Sequence, residues 1–179
     1  MSTSAEEQLA ALVARVGGIA DDVDECVSLL VRPGELPRFV VAEQLMPLGS
    51  ALIPRLVKVI KASDTDADLR GCAALLGFSV GDREDCAMTL LDEIDADGPW
   101  ALLAARRLAD AGYPGAASAI ERALRRTDAS SIDAIVGLLD AFRSAGGYLP
   151  NDLRESLKAN ESWQVASALR EFFPVSERS

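Results

Sequence analysis

The stretch "EIDADGPWALLAARR", residues 93 to 107, decides how the chain is read. Glu93, Asp95, Asp97 and Gly98 come in the order that opens a calcium loop, yet they also suit a joint between two helices. An EF-hand takes ligand oxygens at loop positions 1, 3, 5 and 12, with glycine at 6. Counted from Glu93, position 12 falls on Ala104, which has no carboxylate to close the shell. Counted from Asp64, the acids Asp64, Asp66 and Asp68 stand at 1, 3 and 5, but Leu69 and Leu75 occupy positions 6 and 12. The acids are therefore read as joint residues that favour helix N-termini.

Outward from this joint the chain repeats. The starts "DADL", "DGPW", "DASSI" and "NESW" lie at 66, 97, 128 and 160, so the spacings are 31, 31 and 32 residues. Each start is followed by a large apolar residue: Leu69, Trp100, Ile132, Trp163. Apolar pairs four apart then mark a second helix: Leu56 with Ile60, Leu90 with Ile94, Ile120 with Leu124, Leu153 with Leu157. Turn residues separate the two, as in Gly112-Tyr113-Pro114 and Gly146-Gly147. A period near thirty with two helices per unit predicts an all-α chain, an α-solenoid of about five helix hairpins. One hairpin cannot bury its apolar face alone, and stacked neighbours make the core continuous.

The N-terminal part reads as capping helices. "SAEEQLAALVARVGG" opens on a Ser4–Glu7 capping box and carries Leu9, Leu12, Val13 and Val16 as its stripe. Asp21 is placed to cap the next helix, and Ser50 to cap the one holding Pro54. The expected organisation is one domain: capping helices over 1–35, repeats over 36–173, a tail over 174–179.

One stretch carries a family resemblance: "LIPRLVKVIKASDTDADLRGCAALLG", residues 52 to 77. Pro54 in the second helix, the apolar pairs, the acidic turn at Asp64 and Asp66, Arg70 just inside the next helix and the Ala73-to-Gly77 ending resemble a HEAT repeat junction. The resemblance implies that Arg70 braces the acidic turn of a neighbouring unit. It implies no single function, because one fold hosts many.

The net charge of −10 argues against nucleic acid or an anionic membrane as partner, since both require a basic surface. No segment is read as reaching the length of a membrane span, and "MSTSAEEQLAALVARV" lacks the layout of a signal peptide. Cys26, Cys72 and Cys86 are odd in number and form no CxxC. They read as buried thiols of a reducing compartment, which places the protein in the cytoplasm.

Histidine is absent, which removes Ser-His-Asp and Cys-His catalysis and most zinc sites. No phosphate-binding glycine loop is present. No cofactor, metal or catalytic residue is expected. By helical angle the second helices present Lys58 and Lys61, then Glu84, Asp85, Met88 and Asp92, then Arg122, Arg125 and Arg126. The sign alternates plus, minus, plus, which suits a protein partner such as a basic toxin or enzyme and fixes register with it. Met88 and Leu91 are either an anchor on that face or packing against a neighbouring helix. Trp163, Phe172 and Phe173 either cap the last unit or form a contact.

The function expected is non-enzymatic protein binding through the second-helix face. In size, acidity and lack of catalytic residues the chain also resembles bacterial immunity proteins, which implies neutralisation of a cognate toxin. The alternatives are an adaptor or assembly factor, and a hydrolase or glycosylase-like enzyme on the same scaffold using Glu84 or Asp92.

Overall fold

The computed structural model describes residues 4–174, and among these there are α-helices, one 3-10 segment and no strand. The helices are α1 (Ala5–Gly18), α2 (Val23–Val31), α3 (Arg38–Leu45), α4 (Ile53–Lys61), α5 (Ala67–Ser79), α6 (Asp85–Asp95), α7 (Ala101–Asp110), α8 (Ala116–Arg126), α9 (Ile132–Ser144), α10 (Asn151–Lys158) and α11 (Trp163–Phe172). The chain divides into two compact units, Met1–Thr89 and Leu90–Ser179.

In the first unit α5 is the buried helix. It packs on α3 and α4, and every residue from Leu69 to Phe78 except Arg70 is buried. Small residues allow this: a Cβ on Gly77 would overlap the Cys86 sulfur. Asp66 caps α5 by accepting the Leu69 N–H at 2.7 Å. Arg38 bonds to both Asp66 and Asp68. The resemblance assigned the brace to Arg70, but Arg70 donates to the Thr65 carbonyl of its own turn at 2.7 Å, and Arg38 makes the link to the acidic turn.

Other expectations at the N-terminal side shift by small amounts. The Ser4–Glu7 capping box forms. Asp22, one residue after Asp21, caps α2 through the Glu25 N–H at 3.0 Å. Ser50 caps nothing: the 3-10 segment Met46–Leu52 runs into α4, with Gly49 at φ 64°. Joined end to end, Arg38–Lys61 is 24 residues long and apolar enough by composition to cross a membrane, contrary to the sequence reading. The left-handed Gly49 breaks its axis, so it is not one straight helix. Half of the α1 stripe is buried, Leu12 and Val16; Leu9 and Val13 face solvent.

In the second unit α9 is central and contacts α7, α8 and α11. A Cβ on its Gly137 would lie 2.8 Å from a Leu102 methyl of α7, so that side chain would have to shift. Leu108, Ile120, Leu139, Leu149 and Val165 form the core with Phe142, whose ring lies 5.9 Å from that of Phe173.

Candidate functional site

The stretch 93–107 folds as a helix-to-helix joint. α6 ends in paired backbone bonds, Gly98 N–H to Glu93 O at 3.0 Å and Asp97 N–H to Ile94 O at 3.3 Å, with Asp97 left-handed at φ 52°. This is a Schellman ending. Glu93 is the one buried charged residue among the described residues, at 9% exposure, and its carboxylate accepts the Trp100 N–H at 2.8 Å just ahead of α7. Gly98 leaves space for it: a Cβ there would overlap the carboxylate and displace it. Among the described residues, no group of three or more acids or cysteines could hold a metal ion.

The thiols are equally unsuited to chemistry. Burial pushes Cys72 up to about 12, helped by the nearby Asp68 charge. Burial and the Asp82 carboxylate push Cys86 higher still. A thiol that stays protonated is a poor nucleophile. All three cysteines are free and buried.

The nine charged and apolar residues expected on the second-helix face fall into two groups. Five are tied within the protein. In the first unit Lys61 pairs with Asp85 at 2.7 Å. In the second, Arg122 forks onto Asp95 at 2.6 and 3.0 Å, and Arg126 donates to the Ile94 carbonyl at 3.0 Å while lying 3.7 Å from Asp95. Arg125 links Glu121, at 2.8 Å on its own helix, to Asp152 of α10, at 2.6 Å. The arginine hydrogen bonds hold Asp95 and Asp152 below the usual carboxylate range. With Asp85 included, these are Lys61, Asp85, Arg122, Arg125 and Arg126.

The remaining four define what is free. In the first unit Lys58 and Glu84 are exposed with no side-chain ion pair among the described residues, and Met88 is 54% exposed. Met88 therefore does not pack against a neighbouring helix in the way that its burial would require. Asp92, in the second unit, is exposed in the same manner. Just ahead of Glu84, Asp82 accepts the Glu84 and Cys86 N–H groups at 3.0 and 3.2 Å and starts α6; burial opposes its ionisation, but these bonds outweigh it and hold its carboxyl low.

The C-terminal aromatics separate. Phe173 is buried, Phe172 lies under the Arg143 guanidinium at 4.8 Å, and Trp163 is 75% exposed. A cleft of about 410 Å³ between α10 and α11 was not anticipated. Arg154, Lys158 and Arg170 rim it, and Leu169 and Phe173 floor it. Its only sequence signal is periodic: Ala166, Leu169 and Phe173 share one face of α11.

No protein family, curated protein or solved structure matches the chain.

Proposed function

We propose that the chain is a protein-binding α-solenoid of HEAT-like repeats and that its second helices meet the partner. The period of about 31 residues and the succession of contacts from α7 to α9 to α11 support the repeat reading. The binding reading rests on one observation: Met88 is 54% exposed, one helical turn from Glu84, whose carboxylate has no ion pair among the described residues. An exposed apolar anchor beside an uncommitted charge is what a protein partner uses. The bonded residues Lys61, Asp85, Arg122, Arg125 and Arg126 serve the fold first, so the contact set narrows to Lys58, Glu84, Met88 and Asp92.

In its most specific form the reading is an inhibitor of immunity type that neutralises a basic toxin in the cytoplasm. The net charge of −10 supports a basic partner. The enzyme reading needs a buried carboxylate available for reaction, and Glu93 is engaged as a helix cap.

The test is affinity capture of the tagged protein from its host lysate, wild type beside Glu84→Lys/Met88→Glu. Capture of one basic protein by the wild type and its loss in the variant is expected. A multi-subunit complex on the wild type would turn the reading to an adaptor. Equal capture by both proteins would remove α6 as the contact.

A further inference from the structure

Three ion pairs obey one positional rule. Lys61 follows the core residue Ile60 and meets Asp85; Asp95 follows Ile94 and meets Arg122; Arg125 follows Leu124 and meets Asp152. In each case the residue directly after the second core position reaches a charge on the next second helix. Lys158 follows Leu157 in the same register, and among the described residues its ion-pair partner is Glu155 of its own helix, at 2.8 Å.

Beside Lys158 lies the cleft rimmed by Arg154 and Arg170. Among the described residues no carboxylate lines it, in a chain with 28 acidic residues against 18 basic ones. Arg170 is exposed and has no ion pair among the described residues. The floor, Leu169 and Phe173, is apolar. A cationic rim over an apolar floor fits an amphipathic helix that carries a carboxylate.

The chain itself has such a helix. On α1, Leu9 and Val13 are 39% and 49% exposed, while Leu12 and Val16 are buried. Glu6 is exposed and stands three and seven residues before them, on the same helical face. The apolar pair faces water with a carboxylate one turn away, the complement of the cleft.

We propose that copies of this chain associate head to tail, α1 of one copy seating Leu9 and Val13 in the α10–α11 cleft of the next, with Glu6 at the Lys158–Arg170 rim. The contact uses none of the residues assigned to the partner above, so either proposal can fail alone. It joins two different surfaces, so a pair can leave one α1 and one cleft unused, and growth beyond a dimer is open to it. Two small apolar side chains and a few charges make it weak and salt-sensitive.

Sedimentation of the full chain over the micromolar to millimolar range tests this. The wild type is expected to gain mass with concentration, less so at high salt. Leu9→Ser/Val13→Ser and Lys158→Glu/Arg170→Glu should each remain monomeric. Mixed in equal amounts they should form a dimer and nothing larger, because one supplies the cleft and the other supplies α1. That rescue also shows that both variants are folded. A wild type that stays monomeric at millimolar concentration, variants that still associate, or a mixture of two helical variants that does not pair would each overturn the proposal.

Discussion

The joint before α5 and the joint before α7 stand one period apart and solve the same problem with different residues. In the first unit Asp66 caps its own helix, and Arg38 fastens the turn from outside. In the second unit the equivalent residue, Asp97, caps nothing. It turns left-handed to end α6, and the cap comes from Glu93, four residues upstream on the previous helix. The same acid, at the same place in the period, closes one helix and opens another. What matters at each joint is that the exposed N–H groups find an acceptor; which residue supplies it depends on the path of the turn.

Substitutions at the two joints separate their roles. The largest effect is expected from Glu93→Ala, which leaves the Trp100 N–H without its acceptor in a half-buried place. It should cost about 1–3 kcal/mol in urea unfolding. Asp66→Ala removes an ordinary N-cap and should cost about 1 kcal/mol. A larger loss at Asp66 than at Glu93 would reverse the ranking that burial predicts.

Asp97→Gly sharpens the same point with the opposite sign. Among the described residues Asp97 is the non-glycine one at positive φ, where Gly112 and Gly146 serve after α7 and α9. Glycine relieves that strain, so thermal unfolding should show a gain of roughly 0.5–1 kcal/mol, less what the unfolded chain gains in entropy. Gly112→Ala should lose stability.

The smallest effect belongs to the surface pairs. Arg122→Ala should cost only a few tenths of a kcal/mol, since both partners of the Arg122–Asp95 pair are more than a third exposed. Its pH dependence has a definite direction. The Arg122 hydrogen bond holds the folded Asp95 below its unfolded value, so the contribution is present above about pH 4 and is lost as pH falls through the folded value. Arg122→Ala should flatten that acid limb slightly and leave the curve between about pH 5 and 8 unchanged, where the chain has no histidine to titrate.

Much of the molecule was legible in the residues. The helical period, the apolar pairs Leu56–Ile60 through Leu153–Leu157, the Ser4 capping box and the Asp66 cap all follow from interactions within a few positions of the chain. The failures share a cause. Of the four period starts only Asp66 caps its helix; Asp128 accepts from Ser130, and Asn160 accepts from Ser162 while donating to the Ala129 carbonyl. Arg70 and Arg38 were exchanged because a guanidinium spans more than a turn and local spacing does not say which carbonyl or carboxylate it meets. Along the sequence the plus-minus-plus alternation suits a partner's footprint. Within the molecule it is largely a set of bonds between successive second helices, Lys61 to Asp85, Asp95 to Arg122 and Arg125 to Asp152.

Local sequence alone makes this chain all-helical, marks the apolar pairs that its second helices bury, and leaves no histidine chemistry open to it. Those properties arise from backbone propensity and from the helical spacing of apolar residues, which act locally. Only the tertiary structure decided which charges are spent inside the protein, that Glu93 is buried and committed, that Met88, Leu9 and Val13 face water, and that cations gather over the cleft of α10 and α11. Long side chains choose their partners across helices, and exposure depends on what else packs nearby; neither is written in the spacing of residues along the chain.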